Sequence, residues 1–285
     1  MNEEAFPVGH GNASPHAIQV IDAIRSAYDR DWEKRRREFV HEFLSRTWAG
    51  IPLPVLSVCG RGTQEIRYST YLAYFLDWSR HHGLGTRLLD KVLRSLGHND
   101  VDTYRARVET ERYIGTVFDG KESADCFCDI VVTCEQSGHV IFIEQKIHSG
   151  ESPNGRVKLS QLQRYDLAIQ EGSELIGLRR IKIFLTPEGK VSSKAPEWQP
   201  LSYSALISAG LAVLRDGGLS STARGNLRRF LMDLALGPFD KAERELNELV
   251  DLAVKATMSS DFLDRLRFDE ACTRNALLVE LLMEG

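Results

Sequence analysis

Nowhere in the 285 residues do about 18 apolar side chains follow one another, so no segment has the make-up of a membrane-spanning helix. The opening Met1-Asn2-Glu3-Glu4 lacks the basic-then-apolar order of a secretory leader, and the expectation is a cytoplasmic chain without membrane contact. Cysteine is scarce and odd in number. Five thiols in a chain of this length make no disulfide framework and are expected to be reduced. An excess of one charge is missing too: 36 basic residues face 40 acidic ones, for a net charge of −4. Affinity for a polyanion would have to come from local clusters of lysine and arginine. No internal repeat is visible, and no linker divides the chain. What remains, 42% hydrophobic and 27% charged residues, suffices for a packed core and excludes disordered, collagen-like or purely coiled-coil chains.

Residues 1–13, with Pro7, Gly9, Gly11 and Asn12, read as a mobile leader. Ser14-Pro15 reads as an N-cap and first turn, opening one long or broken helix to about Trp48. Apolar residues recur there at helical spacing. Further helices are expected after Thr63 and from Leu88 to Leu96, separated by His81-His82-Gly83-Leu84-Gly85. The period then changes. Thr103 to Ile114, Asp125 to Thr133 and Val140 to Ile147 read as strands, followed by a helix from Lys158 to Gln170 and a strand over Ile181 to Leu185. Beyond Pro200 the pattern is helical to the end. This order predicts an α/β fold with a mixed sheet flanked by helices.

The most informative stretch joins Asp129-Ile130-Val131-Val132-Thr133 through Ser137-Gly138 to Val140-Ile141-Phe142-Ile143-Glu144-Gln145-Lys146. Read as a tight hairpin on Ser137-Gly138, it pairs Val131 with Glu144 and Asp129 with Lys146. Alternation then sends Asp129, Glu144 and Lys146 to one side, and Cys126, Cys128, Ile130, Val132, Cys134, Ile141, Ile143 and Ile147 to the other, the expected core face. Two converging carboxylates suit a hard cation such as Mg²⁺ or Mn²⁺, which can lower the pKa of a bound water. An adjacent lysine can orient the nucleophile or steady charge on a phosphate. The set suits phosphodiester hydrolysis. The competing explanation is a strand-end salt bridge with exposed charges, although a charged triad closing a run of isoleucines is costly without a task.

With an acidic residue on one strand, a hairpin and then Glu144-x-Lys146, the sequence resembles the PD-(D/E)XK nuclease superfamily, the restriction-endonuclease-like fold. Gln161-Leu162-Gln163-Arg164-Tyr165 is similar to the QxxxY motif that follows the ExK strand in RecB-like branches, and Gln161 and Tyr165 share one helix face. Upstream, Glu65-Ile66-Arg67-Tyr68-Ser69 resembles the N-terminal region of a bacterial branch. The resemblance implies a DNA-cleaving, Mg²⁺- or Mn²⁺-dependent enzyme. In it Asp129, Glu144 and the backbone carbonyl of Gln145 hold the cation, Glu65 joins the acidic set, Lys146 assists the water or the phosphate, and Gln161 with Tyr165 organises substrate or lysine. It also implies a setting in prokaryotic genome defence or DNA processing. It spans about residues 63–207, leaving 14–62 as an N-terminal helical extension and 208–285 as a C-terminal helical subdomain. Two departures are present: no proline precedes Asp129, and Gln145 stands where asparagine is frequent.

Other signals carry less. Cys126, Cys128, Cys134 and His139 could be drawn as a zinc site, but the alternation puts the cysteines on the apolar face. His81 and His82 are read as closing a helix. His148 shares parity with Lys146 and is a candidate phosphate contact. Arg224, Arg228 and Arg229 are candidates for tracking a nucleic-acid backbone, and the leucine-rich C-terminal helices for a homodimer or partner surface. These residues do not separate DNA from RNA. The alternative function is a nucleic-acid-binding or scaffold protein that keeps the fold and is inactive without a partner.

Overall fold

In the computed structural model, residues 15–52, 54–59, 64–119, 122–147, 158–171, 177–236, 240–259 and 261–284 are described. The expected leader, Thr63, His148 and the segment 152–155 lie outside them. Five strands form one sheet in sequence order: β1 (Arg107–Asp119), β2 (Glu122–Cys134), β3 (His139–Gln145), β4 (Arg179–Thr186) and β5 (Gln199–Ser202). The β1–β2 and β2–β3 pairs are antiparallel, and β3–β4 and β4–β5 are parallel. The expected mixed sheet is present, with β1 displaced toward the C-terminus of its expected span and β5 not foreseen.

The helices are α1 (Pro15–Asp31), α2 (Arg37–Ala49), α3 (Val55–Val58), α4 (Glu65–Leu76), α5 (Arg87–Ser95), α6 (Gln161–Glu171), α7 (Tyr203–Arg215), α8 (Ser221–Leu236), α9 (Asp240–Met258), α10 (Phe262–Arg274) and α11 (Ala276–Met283). A π turn at Trp32–Arg36 joins α1 to α2, which is the form the long or broken helix takes.

The chain divides into two compact units that are not contiguous in sequence: residues 1–49 with 247–274, and residues 50–246 with 275–285. Residues 208–285 therefore do not make one C-terminal subdomain. Aromatic packing explains the smaller unit: Phe268 of α10 meets Trp32, Phe39 and Phe43, and Phe262 meets Tyr28 edge-on. The Arg265 guanidinium lies over the Trp32 ring and pairs with Asp29.

In the larger unit every residue of β3 is buried. Val140 and Phe142 join Leu162, Tyr165, Ala168 and Ile169 of α6 in one cluster, while buried Ile141 and Ile143 lie outside it, so the central strand is covered on both faces. The helix α6 packs closely on the edge: a Cβ at Gly115 of β1 would stand 3.2 Å from Ala168 Cβ. At the start of α7 the Ser202 hydroxyl accepts Ala205 N–H at 3.0 Å and caps the helix.

The histidine–glycine segment after α4 is a structural turn. His82 is buried, its Nε2 lies 2.8 Å from Asp77 O, and its Nδ1 accepts Leu84 N–H at 3.0 Å, which makes it the neutral Nε2–H tautomer. Gly83 has φ +77°, and a Cβ there would meet Ala223 Cβ at 2.9 Å. Gly85 has φ +62° with open space around it. Gly83→Ala is therefore expected to cost about 2–3 kcal/mol, from left-handed strain and a steric clash, and Gly85→Ala about 1 kcal/mol from strain alone. Chemical denaturation of the two variants measures the difference.

Candidate active site

The β2–β3 hairpin places the acidic residues, in a register two residues from the expected one. Its turn is not the two-residue Ser137-Gly138 loop: Glu135–Ser137 forms a 3₁₀ turn, Gly138 has φ +65°, and the closing pair is Cys134 with His139. Val131 consequently pairs with Phe142 rather than Glu144, and the ladder ends at Ile130 with Ile143. Asp129 then stands level with Glu144 rather than Lys146. A shift of two preserves parity, so the convergence survives the wrong register.

The expected division of the faces does not hold throughout. Cys126 and Cys128 belong to the same buried cluster as Val131, Val140 and Phe142, so strict alternation fails near Asp129. In the neighbouring strand Glu111 has φ +49°, a left-handed conformation that also breaks regular pairing. All three cysteines are buried free thiols, and burial raises the pKa of each. Among the described residues no three or more of His, Cys, Asp and Glu are grouped to hold a metal ion, and this applies to the cysteines and the carboxylates alike.

Around the end of β3 the groups converge. Lys146 Nζ lies 2.7 Å from Glu144 Oε1 and 3.3 Å from Glu65 Oε2. The other Glu65 oxygen accepts Ile147 N–H at 3.1 Å, and Asp129 Oδ2 accepts Gln145 N–H at 2.7 Å. The first residue of α4 thus holds the exit of β3, and the last free residue of β2 holds its end. Glu144 is fully buried and Lys146 is 7% exposed. Burial, then the Asp129 charge, push the Glu144 carboxyl up to about 8 against the pull of Lys146. Burial likewise lifts Asp129 to about 6, with Glu111 and Glu65 adding to it and Gln145 N–H and Lys146 opposing it. The lysine itself shifts upward because the surrounding carboxylates outweigh its burial.

Gln161 and Tyr165 sit on α6 as expected, and the Gln161 amide donates to the Tyr165 hydroxyl at 2.8 Å. Tyr165 is a core residue as well as a site neighbour: its ring packs in the α6 cluster against Trp198, and its hydroxyl donates to Phe127 O. This helix face therefore packs into the core and also borders Glu144. The hydroxyl is near enough to Glu144 for the carboxylate to raise its pKa, though burial is the larger cause.

Tyr203, the first residue of α7, has no place in the sequence motifs. Its hydroxyl accepts from Gln145 Nε2 at 2.9 Å and donates to Lys146 O at 3.2 Å, holding both residues after Glu144. Its place beyond a strand of four residues gave the sequence no signal. The helix α8, which carries Arg224, Arg228 and Arg229, packs on α3, α4, α7 and α11. Arg228 donates to the carbonyls of Leu281 and Leu282 at 3.4 Å, and Arg229 to Asn226.

The donor set fits a hard divalent cation. Glu144 and Asp129 are carboxylates; Glu144 Oε1 faces Lys146 Nζ at 2.7 Å, and Oε2 is buried without a hydrogen-bond partner among the described residues. A buried anionic oxygen left without a donor is costly. Two carboxylates and a backbone carbonyl, completed by water, suit an ion that binds through few protein ligands.

A sequence-family model described as the PD-(D/E)XK nuclease superfamily matches residues 54–233. No curated protein and no solved structure matches the chain significantly.

The raised carboxyl pKa values carry a sign. The folded state holds protons on Glu144 and Asp129 that the unfolded chain has released, so their contribution is full below about pH 4 and is lost as pH rises toward 8. Without divalent cations, unfolding free energy should fall by on the order of 3 kcal/mol across that range. Glu144→Gln should flatten the fall. Denaturant titrations at several pH values check this.

Proposed function

The chain belongs to the PD-(D/E)XK nuclease superfamily, and on that premise we propose that it is a Mg²⁺- or Mn²⁺-dependent nuclease that hydrolyses phosphodiester bonds in DNA. The setting implied by the resemblance is prokaryotic genome defence or DNA processing. The observation that carries the reading is the buried Glu144–Lys146 pair with Asp129 beside it. As a structural salt bridge it would be a poor choice, because desolvation offsets its attraction and a carboxylate oxygen is left unbonded.

Asp129, Glu144 and the Gln145 carbonyl would hold the cation, with Glu65 at their side. When bound there, it supplies Lewis acidity toward a phosphate oxygen and a water of lowered pKa. Lys146, kept charged by its carboxylate neighbours, positions the nucleophile or steadies negative charge on the phosphate. Its ammonium lies between Glu144 and Glu65. Glu65 fixes where the lysine leaves the strand, and Tyr203 holds the Gln145 side chain and the Lys146 carbonyl beside that point. Arg224 remains the α8 candidate for a phosphate contact; Arg228 already spends hydrogen bonds on α11.

Incubation of plasmid, single-stranded DNA and RNA with Mg²⁺, Mn²⁺ or EDTA is the direct test. DNA cleavage that needs a divalent cation is expected. Asp129→Asn, Glu144→Gln and Lys146→Met should each lower it by roughly 100-fold or more while the protein stays folded. Parental turnover by folded Glu144→Gln would sink the assignment, and RNA cleavage without DNA cleavage would correct the substrate.

Tyr165→Phe separates packing from chemistry. It keeps the buried ring but leaves Phe127 O without its donor, so a stability loss of about 1–2 kcal/mol is expected. Turnover should fall as well, because the hydroxyl lies beside Glu144 and holds Gln161. Calorimetry with a cleavage assay reads both.

A further inference from the structure

The β1–β2 hairpin holds two aromatic rings in the open beside the candidate site. In β2, Cys126 and Cys128 are buried in the cluster that contains α6, so Asp125, Phe127 and Asp129 take the opposite side of the strand. Phe127 pairs directly with Tyr113 of β1, and the two ring centroids lie 5.5 Å apart. Both side chains face solvent, Tyr113 at 53% exposure and Phe127 at 47%.

Neither ring is loose. The Thr116 hydroxyl donates to Asp125 Oδ1 at 2.6 Å, so the Tyr113 hydroxyl gives its own proton to Thr116 Oγ1, also at 2.6 Å. The backbone of Phe127 is tied to the site, because its carbonyl accepts the Tyr165 hydroxyl. Aromatic side chains held in this way offer a flat apolar surface that loses little freedom on binding.

The surrounding charges narrow the occupant. Asp125 borders the rings, and Asp129 and Glu111 lie at the next position along the two strands. Such a rim repels phosphate groups and acidic partners, and a second copy of the chain would bring the same carboxylates against themselves. A neutral, flat nucleobase meets no such repulsion.

We propose that Tyr113 and Phe127 form a stacking surface for an unpaired base of the strand being cut. This rests on the nuclease reading and deepens it, by making single-stranded or locally unpaired nucleic acid the substrate class. Asp129 lies two residues along β2, about 7 Å away, and stacked bases advance by about 3.4 Å, so the base is about two nucleotides from the bond to be hydrolysed. A closed duplex keeps its base faces within its own stack and has none to offer the rings. Stacking on an aromatic side chain also accepts any base, since every base has a π face.

The test is titration calorimetry of the full chain with a short unlabelled single-stranded deoxyoligonucleotide in EDTA, where cleavage is arrested, and with the duplex of the same sequence. Tyr113→Leu and Phe127→Leu are each expected to bind the single strand about tenfold more weakly and the duplex as the parent does. Phe127→Tyr restores a ring and is expected to bind like the parent, as is Trp48→Leu, which removes an exposed ring elsewhere. If the parent cleaves nucleic acid with a divalent cation while both leucine variants keep its affinity for the single strand, this proposal falls and the nuclease reading stands. Equal weakening toward single strand and duplex also overturns it, because the rings would then not be reading unpaired bases. A parent that dimerises in sedimentation, with the dimer lost in the leucine variants, assigns the face to a second copy and overturns it as well. A parent that neither binds nor cleaves any nucleic acid overturns it together with the nuclease reading.

Discussion

An ammonium buried between carboxylates at the end of a fully buried strand is the constraint around which the larger unit is arranged. Glu144 and Lys146 are taken from water by the same isoleucine-rich strand that makes the sheet a core. Neither charge could remain there alone, since an uncompensated buried ion costs several kcal/mol. Each neighbour therefore has an electrostatic or hydrogen-bonding task. Glu65 shares the lysine, Asp129 takes the backbone amide between the pair, and Tyr203 takes the Gln145 amide and the Lys146 carbonyl.

Three helices meet that demand from different places in the sequence. The first residue of α4 brings Glu65, α6 brings the Gln161–Tyr165 pair, and α7 brings Tyr203 as its first residue. Glu65, Gln161 and Tyr203 are each the first residue of their helix, where the chain leaves a loop or strand end, and this is why residues 65, 146 and 203 come together despite their separation. The two tyrosines work alike. Each buries a ring in the core and spends its hydroxyl on a strand carbonyl, Phe127 O or Lys146 O, so packing of the helix and position of the site backbone are the same interaction.

The elements with a strong period were legible from sequence: β2, β3, β4, α4, α5 and α6 lie where the apolar spacing put them. Asp129, Glu144 and Lys146 were legible because parity along a strand survives a register error of two, and that error came from the turn. Ser137-Gly138 reads as a two-residue loop, but the chain spends four residues, the last a left-handed glycine, on the reversal. β5 has only four residues and contains a proline, too little for a period to show. The grouping of α10 with α1 and α2 was illegible for another reason. It depends on aromatic contacts between residues more than 200 positions apart, and no local pattern encodes them.

The irregularities gather where the acidic residues are, and the geometry of a sheet explains it. In a regular strand, Asp129 and Glu144 would point squarely at one face, and both faces of β3 are covered by apolar side chains. A carboxylate aimed into either layer would lose its water with nothing in return. Near Asp129 the sheet departs from regularity: the β2–β3 ladder ends at Ile130, alternation lapses between Cys128 and Val131, and Glu111 on the neighbouring strand is left-handed. Each departure gives up a ladder bond or a relaxed φ. Glu144 nevertheless stays fully buried, and what it receives in place of water is Lys146, 2.7 Å from one of its oxygens.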